Sequence, residues 1–516
     1  MDKIDFQKGK RKILRVIFGR TVLLFTSLFL QAAILMFFMV KLTEYLFYYY
    51  WVCVIISVFM LIFILNSDDN PSYKLAWGIL VALFPVFGAV FYLFVHIQPH
   101  RKMIDDRLKT INYDTAGYRK QDPLVMLELE EKDVQLKKFT EYMNHVGPFP
   151  MCKNSDAKFY PLGDDWYADM LERLKNAKEF IFIEFFIVNY GIVWDTVLEI
   201  LKEKAAEGVE VRFMYDGTCT FFRLPHNYPE YLESMGIQCR IFSPIRPALS
   251  TYQNNRDHRK IVVIDGQYAY TGGVNLADEY INAIERFGHW KDTAVELTGE
   301  VVNTFTILFL QNWNITSKDT EDVSKYIRDY KVPSNGYIMG YTDSPFDKVE
   351  VGETVYMDML YTAKEYVHIM TPYLILDNEM ITAFSYAAKR GIDVKIIMPH
   401  ITDKPYAYIV ARNFYEILLK KGVKIYEYTP GFVHAKEFIS DDKKAVVGSV
   451  NLDFRSLYLN FECAAYMYDV AAVKDAETDF ENTLRQCEEI TLEDCKKYSK
   501  LKKFLGKLMW LFSPLM

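Results

Sequence analysis

The sequence predicts an α/β protein of two tandem, related halves preceded by hydrophobic helices. Three observations carry this. Strand-like strings recur at a spacing of about 180 residues, the mark of an internal repeat. The pattern His-x-Lys-x4-Asp occurs once in each half. Three uncharged runs of helix length lie in the N-terminal region, expected as residues 1–100.

The runs cover residues 21–40, 45–65 and 75–95. Each is about long enough to cross a hydrocarbon core of ~30 Å as a helix. Only Lys41-Leu42-Thr43-Glu44 separates the first two, which reads as a tight helical hairpin. The third contains Pro85 and Gly88 and is expected to kink or re-enter. Charge gives two conflicting signals. Lys3, Lys8, Lys10, Arg11, Lys12, Arg15 and Arg20 favour a cytoplasmic N-terminus, and Arg101, Lys102, Arg107 and Lys109 favour the same side after the third run. Three complete spans cannot satisfy both. The unpaired thiols lean towards a cytoplasmic face for the body.

Residues 101–150 are polar and read as a connector with some helix. The body follows as one half over 151–330 and a second over 331–485. Lys178-Glu179-Phe180-Ile181-Phe182-Ile183 matches Lys364-Glu365-Tyr366-Val367-His368-Ile369. Gly208-Val209-Glu210-Val211 matches Gly391-Ile392-Asp393-Val394, and Gly236-Ile237-Gln238-Cys239 matches Gly422-Val423-Lys424-Ile425. Each is a short apolar strand, two of them just after a helix-stopping glycine. Helices alternating with strands indicate an α/β layer architecture. A pseudo-twofold axis between the halves would bring the two motifs together.

The motifs are His258-Arg259-Lys260 with Asp265, and His434-Ala435-Lys436 with Asp441. On a strand, residues i and i+2 share a face, so each imidazole is expected beside its ammonium. Asp265 and Asp441 have the opposite parity and are expected to be structural partners at a turn. Downstream lie Gly272-Gly273-Val274-Asn275 and Gly448-Ser449-Val450-Asn451. Gly273 and Ser449 are expected to let an anion approach the backbone, and Asn275 and Asn451 to donate to it. Two lysines and two asparagines would then cradle a phosphate without a metal. Paired imidazoles suit phosphoryl transfer, one attacking and one donating a proton. A nucleophilic imidazole needs an acceptor on its other nitrogen. Glu462 is expected to orient His434, and Asp292 to orient His258, each within its own half.

With these motifs the chain resembles the phospholipase D superfamily, and within it the bacterial cardiolipin synthases. The resemblance extends over Ser67-Asp68-Asp69-Asn70-Pro71, Thr371-Pro372-Tyr373, Asn451-Leu452-Asp453-Phe454-Arg455-Ser456 and Asn460-Phe461-Glu462. It implies two tandem phospholipase D-like halves, each a mixed sheet flanked by helices. His258, Lys260, Asp265, His434, Lys436 and Asp441 would be the catalytic set. The implied activity is phosphatidyl transfer from one phosphatidylglycerol to another through a phosphatidyl-histidine, with His258 as nucleophile and no cofactor. Membrane phospholipids are the implied partners and the bacterial plasma membrane, crossed more than once, the implied location. A phospholipase D-type hydrolase, a transferase using another donor lipid and a non-enzymatic membrane scaffold remain as alternatives.

Composition narrows the field. The formal net charge is −7, which offers no global basic surface to nucleic acid. Seven scattered cysteines, none as Cys-x-x-Cys, support neither a zinc site nor a disulfide framework. Residues 486–516 carry Lys496, Lys497, Lys500, Lys502, Lys503 and Lys507 among Leu501, Phe504, Leu505 and Leu508. This is the pattern of a basic amphipathic helix lying on anionic lipid.

Overall fold

The computed structural model describes residues 29, 32–33, 36–37, 45–96, 99–245, 254–317, 321–346 and 349–512. The chain packs as two units, one of residues 1–103, 245–254 and 508–516, the other of 104–244 and 255–507.

In the first unit, helix Leu46–Leu65 is followed by Pro71–Leu83 and Pro85–His96. Asn70 starts the second helix by accepting a bond from Ser72 N (2.9 Å), with Pro71 in the first helical position. Pro85 then stops it, since proline has no N–H and pushes the preceding Phe84 out of helical geometry. The 75–95 run is therefore two helices, each shorter than a span of ~20 residues requires. They fold back on each other. A Cβ on Gly88 would lie 2.8 Å from Val81 Cα, so only glycine allows this approach. Trp77, Val81 and Tyr92 form a small core with Ile64. Among the described residues only Phe47–Leu65 is long and apolar enough to cross a membrane. The run at 21–40 lies almost entirely outside them.

The second unit holds both halves. Its strands are β1 (Met151–Cys152), β2 (Ser155–Tyr160), β3 (Phe180–Phe185), β4 (Glu210–Asp216), β5 (Gln238–Phe242), β6 (Lys260–Ile264), β7 (Tyr268–Gly272), β8 (His289–Lys291) and β9 (Ala294–Gly299). They continue as β10 (Tyr337–Asp343), β11 (Tyr366–Met370), β12 (Asp393–Pro399), β13 (Lys424–Tyr428), β14 (Gly431–Val433), β15 (Glu437–Ser440), β16 (Lys444–Gly448), β17 (Glu462–Tyr468) and β18 (Cys487–Ile490). One sheet has the order β2-β9-β7-β6-β3-β4-β5. The other contains the equivalent series β10-β17-β16-β15-β11-β12-β13, extended by β1 and β18 at its edges. The shared order is the tandem repeat in three dimensions. β3–β5 and β11–β13 are parallel and β6, β7, β9 and β15–β17 antiparallel, so each sheet is mixed.

The edge strands revise the boundaries. β1 pairs with β10, so residues 151–152 belong to the second sheet although they open the expected first half in sequence. The connector is part of the same body: Phe139 packs on Tyr466 with ring centroids 4.9 Å apart, and Asp133 accepts from Tyr468 Oη at 3.0 Å. At the other end, β18 completes the second sheet beside β13, so residues 486–516 do not form a single tail. The amphipathic helix is Lys500–Trp510.

Candidate active site

β6 and β15 are buried at every position. They are central strands of their sheets, and His258 and Lys260, like His434 and Lys436, sit at their leading ends. Each lysine folds back on its own histidine, Lys260 Nζ donating to His258 O and Lys436 Nζ to His434 O. Lys436 Nζ also lies 2.8 Å from His434 Nδ1. Arg259, between the paired residues, turns the other way and ion-pairs with buried Glu184 at 2.6 Å.

Two short cross-half pairings bring the motifs together. β14 runs parallel to β8, with Val433 opposite Lys291. A parallel bridge sets Asp257 opposite Phe461. In each case the next residues on the two segments are a histidine and an acid. His434 N donates to Lys291 O (2.7 Å) and His258 N to Phe461 O (2.9 Å), which fixes the register.

The acids are therefore exchanged between halves. His258 Nδ1 lies 2.9 Å from each oxygen of Glu462, and His434 Nδ1 lies 2.6 Å from Asp292 Oδ2. This corrects the expectation that each acid serves the histidine of its own half. The sequence places Glu462 after the second return strand, but the bridge at Phe461 turns it towards the first half.

Gly273 and Ser449 also act differently from the expected phosphate approach. A Cβ on Gly273 would stand 2.0 Å from Asp292 Oδ1, so the glycine makes room for that carboxylate. Ser449 Oγ donates to Glu462 Oε2. The anions that these two positions receive are the orienting acids.

Asn275 Oδ1 accepts from Ile187 N at 3.0 Å, whereas its Nδ2 is buried with no protein partner among the described residues. Asn451 is buried with its Oδ1 likewise unbonded. Unpaired polar atoms in a buried site are costly unless a ligand satisfies them.

Asp265 and Asp441 stand apart from the imidazoles. Asp265 accepts from the backbone N–H groups of Lys178, Glu179 and Phe180 at 2.8–2.9 Å. Asp441 does the same for Lys364, Glu365 and Tyr366 at 2.9–3.0 Å. Both have positive φ, in the turns after β6 and β15. Grouping them with the catalytic residues is corrected by these contacts: each clamps a motif hairpin to the start of the neighbouring strand.

Aromatic rings that sequence reasoning missed line the site. Phe186 stands edge-on to His258 at 5.0 Å, and Tyr280 and Trp290 lie 5.3 and 5.4 Å from the His434 ring. Only the nearness of Trp290 to Asp292 in sequence hinted at them.

Burial and charge set the protonation states. Burial, with the ammonium groups of Lys260, Lys436 and Lys404, holds His258 well below its ordinary value. Burial and Lys436 bring His434 down to about 3, against the pull of Asp292. Burial lowers Lys260 to about 8 and Lys436 to about 7. Each half thus acts on the imidazole of the other, since Lys436 depresses His258 and Lys260 depresses His434. Burial pushes Glu462 up to about 7, with Lys260 opposing. Burial acts the same way on Asp292, but His434 and Lys436 outweigh it and hold that acid below its ordinary value.

The geometry describes an electropositive buried centre with two tethered imidazoles and unbonded amides. The sequence profile described as "Cardiolipin synthase, PLD-like domain" matches residues 170–305 and 356–484, just over half of the chain and covering both motifs. The chain belongs to this family, within the phospholipase D superfamily. A second profile, "Phospholipase_D-nuclease N-terminal", matches residues 55–95. A protein of Streptococcus mutans is 44% identical over 88% of this chain and 99% of its own length. The cardiolipin synthase of Alkalihalophilus pseudofirmus is 34% identical over 89% of this chain and 92% of that enzyme. Cardiolipin synthase 2 of Bacillus anthracis is 32% identical over 87% and 88%. Among solved structures, phosphatidylserine synthase of Haemophilus influenzae superposes with a TM-score of 0.54, covering 70% of this chain and 93% of that one at 14% identity, which shows a shared fold.

Proposed function

We propose that the protein is a phosphatidyltransferase that makes cardiolipin from two molecules of phosphatidylglycerol. The observation that carries this reading is the exchange of orienting acids, which builds one site from both halves: His258 with Glu462, and His434 with Asp292. Family membership and the cardiolipin synthase relatives supply the substrate class.

With each Nδ1 held by a carboxylate, Nε2 is the nitrogen left for chemistry. His258 Nε2 attacks the phosphorus of the donor, forming a P–N bond as the P–O bond to glycerol breaks. His434, protonated, gives its proton to the departing glycerol oxygen. The hydroxyl of a second phosphatidylglycerol then attacks the same phosphorus and passes its proton to His434. The P–N bond breaks and its electron pair returns to His258. The assignment of His434 as proton carrier is supported by Asp292, whose ionised carboxylate at 2.6 Å stabilises an imidazolium. A bound phosphate also offsets the lysine charges that depress both imidazoles. Lys260, Lys436 and the unbonded amide of Asn275 stabilise the transferring phosphoryl oxygens.

The membrane arrangement belongs to the same reading. Helix Phe47–Leu65 serves as a span, with the broken pair Pro71–Leu83 and Pro85–His96 not crossing. Helix Lys500–Trp510 exposes Leu501 (67%) and Phe504 (64%) among its lysines, as a helix resting on anionic lipid does.

The test uses the purified full-length protein in vesicles containing phosphatidylglycerol. Cardiolipin and free glycerol in equal amounts support the proposal. Phosphatidic acid as the main product identifies a hydrolase, and no turnover leaves the scaffold reading.

A further inference from the structure

Synthesis of cardiolipin brings two anionic phosphodiesters into one site. The lysines of the motifs serve the reacting phosphorus. The acceptor carries a second phosphate, one glycerol unit from its attacking hydroxyl, and the repulsion between the two must be offset.

Lys404 has the placement to do this. It follows β12 and immediately precedes helix Pro405–Leu419, and its side chain is solvent-exposed. Its Nζ lies 4.5 Å from the ring centroid of Tyr373. Tyr373 is buried, donates its hydroxyl to Asp403 at 2.7 Å, and precedes Leu374, which bridges to Leu452 beside Asn451. Lys404 thus lies against the segment that bridges to the residue after Asn451. Among the described residues no ion pair is seen for it, its side-chain contact being the Tyr373 ring. Asp403 accepts from the Tyr373 hydroxyl through Oδ2, its buried Oδ1 having no hydrogen-bond partner among the described residues, and Asp453 accepts from Ser456 N at 2.8 Å. Lys404 N donates to Thr402 Oγ1 at 3.2 Å, which steadies the loop. The helix that follows has no side-chain cap, and its N-terminal amides add to the positive potential.

We propose that Lys404 holds the phosphodiester of the acceptor lipid, forming a second anion subsite beside the histidines. The inference rests on the transferase reading above. Its electrostatic reach into the site is consistent with this, since Lys404 is among the cations that depress His258. The subsite rewards an acceptor that carries its own phosphate over water or a neutral alcohol.

The experiment places the full-length protein in phosphatidylglycerol vesicles with labelled glycerol in solution. Two products are counted: cardiolipin, from transfer to lipid, and labelled phosphatidylglycerol, from transfer to glycerol. Their ratio does not depend on how much protein is folded. In Lys404→Met the ratio of cardiolipin to labelled phosphatidylglycerol falls about tenfold, and Lys404→Arg keeps most of it, because the charge does the holding. An unchanged ratio in Lys404→Met overturns this inference alone, as does an equal fall in Lys404→Arg. Wild-type protein that forms neither product overturns the transferase reading and this inference with it.

Discussion

His258 Nδ1 lies 2.9 Å from both oxygens of Glu462, a residue 204 positions away on the other sheet. The matching contact, His434 with Asp292, spans 142 positions in the opposite sense. Neither motif histidine takes its carboxylate from its own half, so neither half alone orients its motif imidazole in this way.

The first prediction concerns coupling. Glu462→Gln and Asp292→Asn each lower kcat by about 10²-fold or more, since the imidazole loses its tautomer and orientation. Double-mutant cycles in kcat are strongly non-additive for His258 with Glu462 and for His434 with Asp292. Stronger coupling within each half would restore the own-half assignment.

A second prediction separates clamp from catalyst. Asp265→Ala leaves three backbone N–H groups without their acceptor and costs roughly 1–3 kcal/mol of stability. Asp441→Ala costs less, because its contacts are more exposed. Thermal unfolding of the full-length protein reads both. Turnover per folded molecule stays close to wild type, and a large fall in it would give these acids a chemical role.

The third prediction follows from packing around the orienting acids. Gly273→Ala puts a Cβ where Asp292 Oδ1 now lies, displacing the carboxylate from His434. Activity falls at least about tenfold, as for other losses of catalytic positioning. Ser449→Ala removes one bond to Glu462 and has a smaller effect. Steady-state kinetics on the two variants checks this order.

The lysines predict a pH dependence. Lys436 and Lys260 are lowered to about 7 and about 8, so their charge is present below these values and lost as pH rises through them. Attraction for the donor phosphate fades over that window, and kcat/KM falls above about pH 7. The imidazoles are depressed too, so the unprotonated nucleophile persists well below pH 6.5 in the free enzyme. A kcat/KM profile rising steadily from pH 7 to 9 would contradict this account.

The sequence exposed the repeat because β3 and β11, β4 and β12, and β5 and β13 each keep an apolar string of their own. It also exposed the histidines, the lysines and the parity that sends Asp265 and Asp441 away from them. Partner choice was hidden, because it depends on the bridges Asp257–Phe461 and Val433–Lys291. These are contacts between halves with no local signature in either strand. The same is true of β1 and β18, which join the second sheet through pairing that spacing does not encode. Gly273 receives the Asp292 carboxylate where a phosphate is expected, since a carboxylate and a phosphate ask the same of a glycine.

The most direct test is to quench the full-length protein during turnover with phosphatidylglycerol and weigh its peptides. The account predicts a phosphatidyl group on the peptide containing His258, absent from His258→Ala together with cardiolipin synthesis. Undiminished synthesis by His258→Ala, with no adduct on any histidine, would contradict it.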